Sequence, residues 1–335
     1  MPLSVGWFAM MCVICVIVNG AQTHPILWTA SWNHDGSLFV VGGEQTLQIY
    51  ESDTFHKKSL LPKHQRSLSV LSEDEYFSAT FASWHPKNNH LAVSSQGRGA
   101  NLNGVFNVDT EKRTPLEVSM GRGIVWDPTG NKIATANTDD GHLRIWKSDG
   151  RLLHNIPRSP LAKGLTGVSW SPSGNKIVTI GGIITLHQSD GSPIRQIQHR
   201  PEAKERLCLL LSVSWHPSGS FFVTGDYGNE IDDPVLQYWT PEGKLIKSIP
   251  LLDGAEIRNL SWSKDGKKLA IASDKLRIFN PKGNLLHQAD VPDLLWGIDW
   301  HPNGQQIITS SMDGRITLWD SNAQKIKEIE QVYLK

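Results

Sequence analysis

The densest cluster of chemistry-bearing residues in this sequence is Gly225-Asp226-Tyr227-Gly228-Asn229-Glu230-Ile231-Asp232-Asp233-Pro234. The carboxylates Asp226, Glu230, Asp232 and Asp233, with Asn229 between them, are hard oxygen donors of the kind Ca²⁺ takes. Their spacing departs from the twelve-residue calcium loop, so a solvated hairpin extension competes with a metal site here. Calcium is the one cofactor for which the chain offers a ligand set, and no other is expected. A second acidic run, Glu73-Asp74-Glu75, reads as a solvated loop.

Histidine and cysteine offer less. His85, His216 and His301 each follow a tryptophan directly. Identical placement in separate repeats reads as a turn residue copied by duplication rather than a metal centre, which needs its ligands close together. No Ser-His-Asp constellation or Gly-x-Ser-x-Gly elbow is present. Cys12 and Cys15 lie in an apolar N-terminal run. That leaves Cys208 alone in the apolar stretch Leu207 to Leu211, where it reads as a small hydrophobe.

The elements that must carry these residues emerge from an internal repeat. Trp32, Trp84, Trp126, Trp170, Trp215, Trp262 and Trp300 recur at intervals of 38 to 52 residues. Pro stands two residues later in five copies, as at Pro86 and Pro302. Gly stands four later in six, and Asn88 takes that place in the other. Pro presets one backbone dihedral and Gly or Asn accepts a positive one, so each Trp opens a tight reversal. A β-rich run, a second turn, a strand ending at Tyr50, Phe106, Trp146, His187, Trp239, Phe279 or Trp319, and a more polar fourth strand follow. Four strands per unit, seven units and no helical period predict an all-β fold. It is a seven-bladed β-propeller of four-stranded antiparallel blades over residues 22–335.

The best copies are Asp140-Gly141-His142-Leu143-Arg144-Ile145-Trp146 and Asp313-Gly314-Arg315-Ile316-Thr317-Leu318-Trp319-Asp320. On these the chain resembles the WD-repeat family over residues 24–335, as a divergent, bacterial-type exported member. The closing Trp-Asp pair survives only at Trp319-Asp320, and no repeat has the Gly-His pair before its first strand. The Asp–His–Ser–Trp network often used by the family is therefore expected to be missing.

Chain ends and charge set the expected location. Val5 to Val18 is an unbroken run without charge, followed by the small residues Gly20 and Ala21. As a helix it would reach about 21 Å, short of the ~30 Å hydrocarbon core, which predicts a signal peptide over residues 1–21 rather than a membrane span. The expected location is secreted or extracytoplasmic (periplasmic in a Gram-negative bacterium), with no integral span after cleavage. Lys plus Arg (33) equals Asp plus Glu (33), so the cationic footprint of a nucleic-acid binder is absent.

Register supplies the functional expectation. Four residues before each anchor Trp, where the innermost strand begins at the channel mouth, stand Trp28, Thr80, Arg122, Thr166, Leu211, Arg258 and Trp296. Trp and Arg are the residue types enriched at binding hot spots. Trp28, Arg122, Arg258 and Trp296 therefore form the expected partner-binding set of a non-catalytic scaffold that takes a protein or peptide on its mouth face. The alternative, a propeller hydrolase or metal-dependent lactonase, needs acids or histidines converging on the axis. After cleavage the chain would begin only a few residues before the first inner strand, Ile26 to Trp32, too few to supply an outer strand for the last blade, so each repeat should form one whole blade. Ring closure should then bring Trp28 and Trp296 together, with Trp28 in the seam core and Trp296 exposed.

Overall fold

The structure, a computed structural model, describes residues 24–58, 76–98, 102–117, 121–161, 164–200, 209–228, 233–252 and 254–333. The expected signal peptide, Cys208, the acids Glu73 to Glu75, and Glu230 and Asp232 lie outside the described residues. Among the described residues no helix is long and apolar enough to cross a membrane.

Among the described residues, twenty-eight strands form seven four-stranded antiparallel sheets. Blade one comprises β1 (Thr29–Trp32), β2 (Leu38–Gly43), β3 (Thr46–Glu51) and β4 (Lys57–Lys58). Blades two to six follow over residues 76–115, 121–156, 165–197, 210–250 and 259–290. Blade seven comprises β25 (Leu295–Trp300), β26 (Gln306–Ser311), β27 (Arg315–Asp320) and β28 (Lys325–Gln331). Every sheet uses consecutive strands, so the ring closes without strand exchange, as expected.

The repeated turn explains the sequence signature. In blade three Gly130 N–H donates to the Asp127 carbonyl (3.0 Å) with φ at +79°, a left-handed conformation that glycine adopts without steric cost. The same residue has a second reason to be glycine: a Cβ there would strike the His85 ring of blade two at Nε2. Asn88, expected to take positive φ, does not; its Oδ1 instead accepts the His90 N–H (3.0 Å), closing the turn from the side chain.

His85, His216 and His301 are latches between blades. Each Nδ1 accepts the backbone N–H two residues on, at Lys87, Ser218 and Asn303. The proton therefore sits on Nε2, which donates to the carbonyl of Gly130, Gly266 or Gly36 in the next blade (3.2, 2.9 and 3.2 Å). Each ring also meets the next blade's anchor Trp edge-on. Burial holds His85 and His301 below the ordinary histidine range.

Seven hydrophobic cores fill the seven interfaces between blades. The core that closes the ring packs Leu27, Ala30, Trp32 and Phe39 of the first blade region against Ile308, Ile316 and Leu318 of the last. Polar contacts reinforce it. Asp299, in β25, accepts from Ser31 Oγ (3.0 Å) and Trp32 N–H (2.9 Å) of blade one, and from Ser261 Oγ (2.8 Å) of blade six. At the corresponding place Ser83 and Ser261 accept the next blade's Trp N–H at 3.3 Å. An aspartate at the seam thus makes shorter bonds where blades one and seven meet, with burial pushing its carboxyl up and these donors pulling against that. Gly297 completes the fit, since a Cβ there would strike the Ala30 nitrogen.

The hydrogen-bond network expected to be missing survives in half. Trp146, Trp239 and Trp319 donate from Nε1 to Thr135, Thr224 and Thr309 of the neighbouring strand (3.0, 3.0 and 2.8 Å). In blade four His187 takes the same place, donating from Nδ1 to the Gly191 carbonyl and accepting from Thr179 at Nε2, both at 2.9 Å.

Candidate functional site

All seven residues read from the register as the mouth ring line one cavity at the start of the innermost strands. Their placement has a local cause. In β25 the pairing to β26 jumps from Leu295 to Gly297, leaving Trp296 as the extra residue of a β-bulge. Thr80, Arg122, Thr166 and Leu211 are the extra residues of matching bulges in blades two to five. A bulge bends the strand and re-aims one side chain, here toward the axis. Thr80 and Thr166 spend their hydroxyls on the carbonyls of Gly121 (2.7 Å) and Leu210 (2.5 Å) in the next blade, so they hold the ring together.

The structure brings Trp28, Arg122, Arg258 and Trp296 together. The two indoles meet edge to face with centroids 4.3 Å apart. The Arg258 guanidinium carbon lies 3.7 Å from the Trp296 ring centre, and that of Arg122 lies 5.4 Å from the Trp28 ring. Both are within cation–π range. The expected exposures are reversed: Trp296 is only 7% exposed, whereas Trp28 is half-buried. Arg258 covers the Trp296 face, which the sequence alone does not place.

Two members of this site carry no sequence signal of their own. Glu256 forms an ion pair with Arg258, and Tyr227 places its 42% exposed ring 5.7 Å from the same guanidinium. The cavity below the stack measures about 60 Å³, well under the ~300–1,000 Å³ of small-molecule pockets. Its lining holds no carboxylate, histidine or cysteine. At the other end of the channel a wider space of about 340 Å³ is lined by Trp32, Trp300, His85 and His301 among others. His85 and His301 are committed to their latches, and His34, which also lines this space, lies 3.9 Å from the Asp35 carboxylate.

The loop with calcium-type ligands is engaged differently. Asp226 is fully buried and accepts two bonds from Arg200 (Nε 2.8 Å, Nη2 3.2 Å) and one each from the Val235 and Gly228 N–H groups. Burial pushes its carboxyl up, and these donors pull against that. Asp233 is exposed, and its carbonyl accepts from Arg200 (2.6 Å). Among the described residues no three acids, histidines or cysteines converge on a point that could hold a metal.

Comparison with known proteins adds relatives to this geometry. The family model for the WD domain, G-beta repeat, matches residues 120–147 and 279–320. Protein transport protein sec13 of Aspergillus clavatus is 27% identical over 281 residues, which is 68% of this chain and 92% of that protein. A subunit of eukaryotic translation initiation factor 3 from Xenopus laevis is 24% identical over 289 residues, 83% of this chain and 35% of that protein. Protein HIRA of Caenorhabditis elegans is 24% identical over 151 residues, 36% of this chain and 16% of that protein.

These relatives correct the expected location. They are intracellular proteins of eukaryotes, and they point to a cytoplasmic or nuclear protein rather than a secreted or periplasmic one. The expectation of a bacterial-type member draws no support from them.

Proposed function

We propose that this chain, which is a WD-repeat β-propeller, is a non-catalytic scaffold that docks a segment of a partner protein on its channel mouth. The observation that carries the reading is the contiguous Arg122–Trp28–Trp296–Arg258 stack. Planar guanidinium and indole groups fixed against one another lose little side-chain freedom on binding, which is how hot spots gain affinity. Half-buried Trp28 and Arg122 leave area for an acidic or aromatic side chain of the partner. A hydrolase or lactonase reading fits less well, because the mouth cavity is small and its lining lacks acids and histidines.

The test is affinity capture from cytosolic and nuclear extracts of the source cells. The baits are the wild-type chain, a Trp28→Ala/Arg122→Glu variant, and Lys264→Glu at the opposite channel end as control. A partner held by wild type and by Lys264→Glu but lost by the mouth variant, at unchanged thermal midpoint, supports the reading. Retention of every partner by the mouth variant overturns it.

A further inference from the structure

Two residues after the anchor Trp, proline stands in five of the seven repeats. The two exceptions are His34 in blade one and Lys264 in blade six. Proline presets this turn, so each replacement gives up a local preference that the other copies keep. Both replacements line the same space, the cavity of about 340 Å³ at the channel end opposite the mouth. Blades six, seven, one and two surround that cavity, so it straddles the seam.

Its volume falls within the ~300–1,000 Å³ of small-molecule pockets, near the lower end. Its walls are the indoles of Trp32, Trp84, Trp262 and Trp300, flat surfaces that suit a single small ring. Acceptors on the lining side chains are largely spent. Asn33 Oδ1 takes the Leu38 N–H (3.0 Å) and Ser83 Oγ takes the Trp126 N–H (3.3 Å). The Nδ1 atoms of His85 and His301 take the N–H groups of Lys87 and Asn303. Donors are left over. Lys264 is exposed and makes no hydrogen bond or ion pair among the described residues. His34 Nδ1 is buried without a partner. So are the Nε1 atoms of Trp32, Trp262 and Trp300, residues at most 8% exposed. Buried polar groups left without a partner are rare in folded proteins.

The acids nearby are turned elsewhere. Asp35 lies 3.9 Å from His34 Nε2, but its Oδ1 accepts both the N–H and the hydroxyl of Ser37 (2.9 and 2.6 Å). Asp265 Oδ1 accepts the Ser263 hydroxyl (2.7 Å) and the Lys267 N–H (3.0 Å). Asp299 is taken up by Ser31, Trp32 and Ser261. No carboxylate lines the cavity. We propose that this end of the channel is a second site, separate from the mouth, that binds a small organic oxyanion: a phosphate or carboxylate carried on a single ring. Lys264 supplies the positive charge on a flexible stem, His34 supplies a hydrogen bond, and the indoles hold the ring.

The probes are phenyl phosphate and benzoate, with benzyl alcohol as the uncharged ring, each titrated into the whole chain by isothermal calorimetry. Wild type should bind at least one of the anions, and the tighter of the two names the oxyanion. Benzyl alcohol should bind at least tenfold more weakly. His34→Pro/Lys264→Pro restores the residue of the other five repeats, so it should keep the wild-type thermal midpoint and lose at least tenfold in affinity. Lys264→Gln, at an exposed position, should lose affinity in the same direction. Lys87→Gln, one residue beyond the lining at Pro86, should bind as wild type does. Trp28→Ala/Arg122→Glu should also bind the anion normally, whereas Lys264→Glu should lose it while holding the partner of the mouth, so the two sites fail separately. The proposal is overturned if neither anion binds, if benzyl alcohol binds as well as the anions, if Lys264→Gln binds as wild type, or if Lys87→Gln loses as much as Lys264→Gln.

Discussion

The guanidinium of Arg258 lies flat enough over the Trp296 ring to approach its centre to 3.7 Å, joining blade six to blade seven at the channel mouth. Its side chain is 12% exposed and is paired with Glu256, so both attractions act with little solvent between them. Arg258→Ala should lower the unfolding free energy by about 1–2 kcal/mol and shift Trp296 emission to the red. Arg258→Lys should recover less than half of that loss, because a lysine ammonium cannot stack. Urea titration with fluorescence detection measures both.

The latch histidines make a sharper comparison. Gly130 and Gly304 have nearly equal φ (+79° and +72°), but only Gly130 sits beneath a histidine; a Cβ at Gly304 meets nothing within 4 Å. Gly304→Ala should therefore cost about 1–2 kcal/mol from backbone strain alone. Gly130→Ala should cost about 1–3 kcal/mol more from the clash with His85. Adding His85→Ala to Gly130→Ala should return part of the excess, and denaturant midpoints of the four variants give the coupling directly.

Acid should weaken the fold through its buried histidines. Burial holds His187 down at about 4 against an ordinary value near 6.5, with its bond to Gly191 opposing. The native state refuses a proton that the unfolded chain accepts, so stability falls as pH drops from about 6.5 towards 4. At pH 5 the loss is about 2 kcal/mol from this residue. His85 and His301, shifted the same way, add to it. His187→Trp, which copies Trp146, Trp239 and Trp319 at the same register, should flatten the decline in thermal midpoint between pH 7 and pH 5.

Asp299 bridges three blades through the donors Ser31, Trp32 and Ser261, and also accepts its neighbour's N–H at Trp300. Asp299→Ala leaves these donors unsatisfied within the ring and should cost about 3 kcal/mol. Ser83→Ala, at the equivalent position of blade two, should cost about 1 kcal/mol. Calorimetry on the two variants compares the seam with an ordinary interface.

The ring is legible because the tryptophan turn repeats in sequence, and each copy fixes the start and direction of a blade. The seven mouth positions follow from counting back four residues, a distance the inner strand imposes. What counting misses is anything set between distant segments. Arg200 meets Asp226 across 26 residues of chain, which withdraws that carboxylate from its apparent role as a free metal ligand. Arg258 reaches across an interface to cover Trp296, so an indole expected in solvent is buried. The bulges are invisible without the pairing of strands, since one extra residue in a short strand leaves no mark on alternation. The expectation of export rests on an apolar run whose n-region lacks the Lys or Arg that a signal peptide carries, and the relatives point to the cell interior instead.

The seam between blades one and seven uses joints found elsewhere in the ring: a hydrophobic core as at all seven interfaces, a histidine latch from His301 to Gly36 like those of His85 and His216, and a side-chain bond to the next blade's tryptophan like that of Ser83. At that seam His24 Nδ1 lies 3.0 Å from the Val332 carbonyl. A circle of equivalent joints has no privileged first blade. The chain could be spliced between those two residues and reopened in another loop between blades, giving a circular permutant with the same seven contacts in a different covalent order. Strand exchange would forbid this, because one blade would then be tied to both ends of the chain at once.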